Sequence, residues 1–130
     1  MIIAAYQGPS PEGDMVQAFR KINETLAQAA KQGAKMVVFP ELYLLGYNQM
    51  HLHEELAQPI GGDWEIQCAT LAQKHQCGLT IGWAERDEKK IYNSASTFDS
   101  SGIKLGHYRK IQLWGPIEKS IFAFGDSYCT

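Results

Sequence analysis

Apolar and polar positions fall in blocks along the chain, and the blocks predict a strand–helix–strand opening. Ile2 to Gln7 is an apolar run closed by Gly8-Pro9-Ser10-Pro11, a turn cluster that cannot extend a ladder because proline has no N–H to donate. Asp14 stands where a helix N-cap is expected. Behind it Met15, Phe19, Ile22, Leu26 and Ala29 recur at four- and three-residue steps, one stripe of an amphipathic helix. Gly33 supplies the stop, since glycine adopts a left-handed C-terminal conformation without steric penalty. Lys35 to Pro40 is a short β-branched run without alternation and reads as a strand buried on both faces. This order predicts α/β layer packing with a right-handed crossover.

The middle is less regular. Met50 to Ala57 reads as a short helix, and a second runs from Trp64 to Gln76 behind the turn Gly61-Gly62-Asp63, with Asp63 as its N-cap and Gly78 ending it. Leu79 to Ala84 is an apolar strand. Tyr92 to Phe98 and Ile103 to Tyr108 flank Asp99-Ser100-Ser101-Gly102, a hairpin signal with glycine at a left-handed position. Phe122 to Thr130 looks like the start of another strand. No repeat or linker interrupts residues 1–130, so they read as one unit.

Composition narrows the class. With 45% hydrophobic and 20% charged residues the chain is globular rather than disordered. A net charge of −2 without a Lys/Arg-rich run gives no electrostatic support to a nucleic-acid surface. Apolar stretches such as Met36-Val37-Val38-Phe39 fall far short of the roughly 20 residues that cross a bilayer, so no membrane partner is expected. Three cysteines (Cys68, Cys77 and Cys129) without a CxxC pair suggest reduced thiols in a cytoplasmic protein.

Two segments carry candidate chemistry. Pro40 ends its strand and places Glu41 at the strand's C-terminal tip, where ligands bind in open α/β sheets. The apolar run Leu42-Tyr43-Leu44-Leu45-Gly46-Tyr47 is expected to desolvate that carboxylate in part and raise its pKa toward general-base range. Tyr108-Arg109-Lys110 ends the last clear strand, and a lysine there facing a carboxylate would stay protonated and stabilise an oxyanion. Taken singly, each residue is better explained by a capping or solvated surface role.

Together they form a pattern. Phe39 to Tyr47 resembles the glutamate motif of the nitrilase superfamily of carbon–nitrogen hydrolases. His107-Tyr108-Arg109-Lys110 with Leu113-Trp114-Gly115-Pro116-Ile117-Glu118 resembles its lysine motif, and Tyr92-Asn93-Ser94-Ala95 and Phe124-Gly125-Asp126 also match. The resemblance runs over essentially the whole chain in the family's order. It implies an α-β-β-α sandwich, of which this α/β chain supplies about the first half. It further implies Glu41 as general base, Lys110 as stabiliser of the tetrahedral intermediate and Glu118 as a second, positioning glutamate. Tyr47 and Trp114 would line the substrate pocket. The implied reaction is hydrolysis of a small amide, or a nitrile, through a cysteine thioester, without metal or organic cofactor, in a homo-oligomer. Amide is favoured, because Trp114 to Glu118 looks closer to amidase members.

The family's nucleophilic cysteine lies on a later strand, beyond this chain. Cys129 is in the wrong place and reads as a small buried apolar residue. Without the second half of the sandwich, a large apolar face is expected to lie uncovered. The rival reading is therefore a catalytically inactive fragment, or a half-domain that self-associates or complements a partner chain. Weaker rivals fail on their own residues. Gly125-Asp126-Ser127 superficially resembles the serine motif of GDSL-type esterases but has no later histidine. His51, His53, Cys68, His75 and Cys77 do not complete a tetrahedral metal set, and Gly61-Gly62-Asp63 lacks the Lys and Ser/Thr of a phosphate loop.

Overall fold

The computed structural model describes residues 1–128. Strand β1 (Ile2–Ala5) leads through helix α1 (Met15–Lys31) to β2 (Ala34–Val38), and α2 (Met50–Leu56) and α3 (Asp63–His75) precede β3 (Gly78–Asp87). Strands β4 (Lys90–Phe98) and β5 (Lys104–Arg109) follow, then a last helix, α4 (Gly115–Ile121). The five strands form one sheet in chain order, β1-β2-β3-β4-β5. The first three run parallel and the β3-β4-β5 pairs are antiparallel.

The helices form as their sequences dictate. Asp14 caps α1 by accepting from the Gln17 N–H at 2.9 Å. The stripe Ala18, Ile22, Leu26 and Ala29 is buried, with Met15 and Phe19 packed at its rim. Opposite it the sheet presents Val37, Leu79, Ile81, Trp83 and Phe98, with Cys68 and Ala72 of α3 closing the core. Each buried Val, Leu, Ile or Phe among them contributes about 1.5–3 kcal/mol. A second cluster, Leu42, Ala57, Ala84, Ile91, Leu113 and Phe122, sits apart from the first.

The α3 boundaries differ from the sequence reading. Gly62 is the N-cap and Asp63 the first helical residue, because Glu65 takes over the capping role and accepts from Gly61 N–H. Gln76, not Gly78, ends the helix in a left-handed conformation (φ 50°), and Gly78 opens β3. The Asp99 hairpin is as expected: its side chain accepts from the Ser101 and Ile103 amides, and Gly102 has φ 79°. β2 is not buried on both faces. Val37 is enclosed by helices, but Val38 is 39% exposed, and Ile3, which pairs with Met36 on the same face of the sheet, is 53% exposed. Residues 122–128 form no strand, although Ala123 and Gly125 each donate one amide hydrogen bond, to Ile91 O and Lys110 O. Cys129 and Thr130 lie outside the described residues. Among the described residues, no helix is long and apolar enough to cross a membrane.

Candidate active site

The loop after β2 is bent sharply over the sheet. Leu42 (φ 48°) and Leu45 (φ 80°) adopt left-handed backbone, which costs a side-chain-bearing residue about 1–3 kcal/mol each. Packing sustains that cost: Leu42, Tyr43, Leu44 and Leu45 are all buried. The Leu44 amide donates to Gly82 O at 3.1 Å, and the His53 ring holds Gly46 O at 2.8 Å. Gly82 is what lets the loop cross β3. A Cβ there would strike the Leu42 backbone nitrogen and come within 2.8 Å of Pro40 O. The outcome is that Glu41 alone in this stretch points outward. Its side chain is 45% exposed, while the apolar run after it is buried.

Lys110 comes from the other side. It follows β5 directly, and alternation sends Arg109 to the helix-covered face and Lys110 to the open one. Its ammonium donates to Glu41 Oε1 at 2.6 Å and to Glu118 Oε1 at 3.0 Å. Burial alone would lower the lysine's pKa, but its bonds to the two carboxylates raise it, so Lys110 is a cation at neutral pH.

The two glutamates are bonded differently. Glu118, 1% exposed, accepts at Oε1 from Tyr47 OH (2.6 Å) and Lys110, and at Oε2 from the Trp114 amide (2.7 Å). Burial would raise its pKa; the Tyr47, Trp114 and Lys110 donors outweigh that and lower it. Tyr47 in turn is pushed up to about 12, chiefly by its bond to Glu118. A carboxylate so occupied can hold charge but has little capacity to exchange a proton. Glu41 keeps one oxygen free: among the described residues both its donors, Lys110 Nζ and Asn93 Nδ2 (2.7 Å), converge on Oε1.

A cavity of about 380 Å³ opens beside the pair, lined by Phe39, Glu41, Gly82, Asn93, Tyr108 and Lys110 among others. Tyr47 borders a smaller cleft, about 140 Å³, that Glu41 also lines. The Trp114 ring is 74% exposed and borders neither; its contribution here is the backbone amide on Glu118. The structure thus joins Glu41, Lys110, Glu118 and Tyr47 and leaves the Trp114 indole outside. Asn93, Tyr108 and Gln112 lie at the cavity without having been assigned a role from sequence. Asn93 stood in a matched motif, yet nothing in the motif says that its amide reaches a loop 52 positions away.

The opposite face of the sheet carries a second polar network. Glu85, fully buried, is bonded by Arg109 and Ser94 and lies 2.7 Å from His107 Nε2. Ser96, His107 and Glu85 have the connectivity of a hydrolytic triad. However, Ser96 is fully buried, and its hydroxyl proton is donated to Glu65 (2.6 Å), which excludes it as a nucleophile. Among the described residues no group of three or more His, Cys, Asp or Glu is placed to hold a metal. His53 is bound to Gly46 O, and Cys68 is fully buried.

The chain belongs to the carbon-nitrogen hydrolase family, whose model matches residues 2–130. It is similar to a nitrilase of Pyrococcus abyssi, 37% identical over 111 residues that make up 83% of this chain and 42% of that protein. An (R)-stereoselective amidase of a Pseudomonas species is 29% identical over the full chain and 46% of its own length. Among solved structures, a cysteine-to-serine mutant of an amidase from Nesterenkonia AN1, of the nitrilase superfamily, superposes with a TM-score of 0.87 at 25% identity. That match covers 96% of this chain and 49% of the amidase. The mixed sheet with its helices is therefore the nitrilase-superfamily arrangement, and the chain spans less than half the length of each of these relatives.

Proposed function

We propose that this chain supplies the base and the oxyanion-stabilising cation of an enzyme that hydrolyses small amides through a cysteine thioester. The observation that carries the reading is Lys110, held between Glu41 and Glu118 at the mouth of a cavity. The cysteine belongs to sequence beyond the described residues, in one domain of which residues 1–130 are the N-terminal part. Glu41 takes the thiol proton as sulfur bonds to the amide carbon, and the Lys110 ammonium faces the oxygen that gains charge. When the C–N bond breaks, Glu41 returns the proton to the departing nitrogen. It then takes a proton from water, whose oxygen attacks the thioester, and the thiol is restored as the acid leaves. Glu118 holds Lys110 in place and takes no proton. An amide rather than a nitrile fits the resemblance of Trp114 to Glu118 to amidases and the likeness to the Nesterenkonia amidase.

The test is ammonia release from short aliphatic amides and the matching nitriles by the protein carrying this chain and its cysteine segment. Hydrolysis of amides abolished by Glu41→Gln and by Lys110→Ala is the expected result; turnover surviving both changes would sink the assignment. A second reading, a half-domain that pairs with another copy, is favoured by the exposed Ile3 and Val38 on the open face of the sheet. Under it the 130-residue chain sediments as a dimer or larger. Turnover of amides by that chain alone, lost in Glu41→Gln, would contradict both readings of where the nucleophile lies.

A further inference from the structure

Asn93 sits in β4 opposite Ala84 and is 4% exposed, so its side chain has one place to go. Its Nδ2 donates to Glu41 Oε1 at 2.7 Å, and its main-chain carbonyl accepts the Lys110 amide at 2.8 Å. One residue therefore touches both members of the pair, the base through its side chain and the cation through its backbone. Glu41 needs such a partner, because its carboxylate is nearly half exposed and its loop is anchored through backbone bonds and apolar packing that do not reach the carboxyl group. A neutral amide is the suitable donor. A carboxylate at position 93 would put a third negative charge beside one ammonium, and a lysine would compete with Lys110 for Glu41.

From this geometry we infer that Asn93 is a positioning residue. It fixes the Glu41 carboxyl against Lys110 and leaves Oε2 as the oxygen that accepts the proton. Two donors on Oε1 hold its lone pairs, so a thiol or water proton passes to Oε2, which has no donor among the described residues. The inference rests on the proposed function for its consequence in catalysis, but the positioning itself is testable without turnover.

The experiment uses the 130-residue chain labelled with ¹³C at the glutamate carboxyls and ¹⁵N at the lysine ammonium groups, with Glu41 and Lys110 assigned through Glu41→Gln and Lys110→Arg. In Asn93→Ala, and in the near-isosteric Asn93→Asp, the Glu41 and Lys110 signals shift. Those of Glu65 and Glu85, on the opposite face, stay where they are. An unmoved Glu41 signal overturns the inference. So does an equal movement of Glu85, which would mean general loosening, or failure of both variants to fold, which would make Asn93 a stability residue. In the amide-hydrolysing protein, Asn93→Ala lowers kcat about tenfold or more with KM little changed, as expected for loss of one hydrogen bond to a charged group. A shifted Glu41 signal without any Glu41-dependent hydrolysis would leave the positioning intact and overturn the proposed function alone.

Discussion

Lys110 and Glu118, eight positions apart, meet at 3.0 Å with the carboxylate 1% exposed and the lysine 24% exposed. Glu41, on the other side of the same ammonium, is 45% exposed. The same cation thus serves one buried partner and one solvated partner, and the energetics of the two differ. Removing the cation strands a buried charge, whereas neutralising a solvated carboxylate costs little.

Lys110→Met is accordingly expected to destabilise the chain by about 3 kcal/mol or more, and Glu41→Gln by no more than about 1 kcal/mol. Urea unfolding of the two variants checks this. Equal losses would mean that Glu118 finds another partner and that the buried and exposed halves of the cluster are not distinct.

Gly82→Ala should injure the site without touching any charged group. The added Cβ meets Leu42 N and Pro40 O, both backbone atoms in a loop already strained at Leu42 and Leu45. Overpacking of this kind costs about 1–3 kcal/mol, and here the relief available is to lift the loop that carries Glu41. The expected outcome is a lower urea midpoint and a displaced Glu41 in the crystal. A variant as stable as the parent with Glu41 in place would show that the loop tolerates a wider crossing.

The Glu85 network should set the acid limit of the fold. Burial would raise this carboxyl, but bonds from His107, Arg109 and Ser94 outweigh it and hold it down at about 2, against an ordinary value of 4.5. A depressed folded pKa stabilises the fold above the unfolded pKa, and the contribution is lost as pH falls from 4.5 toward 2. By linkage it amounts to at most about 3 kcal/mol. Glu85→Gln should be less stable than the parent at pH 6, and the gap should close as the pH approaches 2. A gap that stays constant with pH would mean that the network contributes packing rather than charge.

Local rules made part of this molecule legible. The α1 stripe, its Asp14 cap and the Asp99 hairpin follow from spacing and turn chemistry, which act within a few residues. What escaped depends on contacts between distant segments. The β3–β4 turn is built on Glu88 at φ 53°, with no glycine or asparagine to announce it. Helix α4 starts at Gly115-Pro116, where the sequence reading placed no helix, with the buried Glu118 accepting the Trp114 amide. Glu41 was expected to be desolvated because its neighbours are apolar. In the tight loop those neighbours turn inward together, and Glu41 is left 45% exposed, a division that the apolar run alone does not specify. Trp114 was expected in the pocket by resemblance; among the described residues its ring is 74% exposed and lines neither cavity beside Glu41.

His53 links acidity to the active-site loop. Its ring is fully buried, bonds Gly46 O through Nε2 and leaves Nδ1 without a partner among the described residues. Burial lowers its pKa, with the nearby His51 acting in the same direction, while the Gly46 carbonyl pulls the other way. A base whose folded pKa is depressed favours the fold above its unfolded pKa, about 6.5, and the contribution fades as pH falls below that point. Protonating Nδ1 would put an unpaired charge inside the helix–loop contact that holds Leu42 to Gly46 over β3, so the loop amides should respond before the rest of the sheet. His53→Gln keeps an N–H for Gly46 O but cannot titrate. Stability of the parent should therefore fall between pH 7 and 5 more steeply than that of the variant, with amide exchange at the hydrogen-bonded Leu44 and Gly46 rising first. His75, also lowered by burial, titrates in both proteins and cancels in the difference. Identical slopes in the two proteins would mean that the loop is held by its leucines alone and that His53 plays no part in its response to acid.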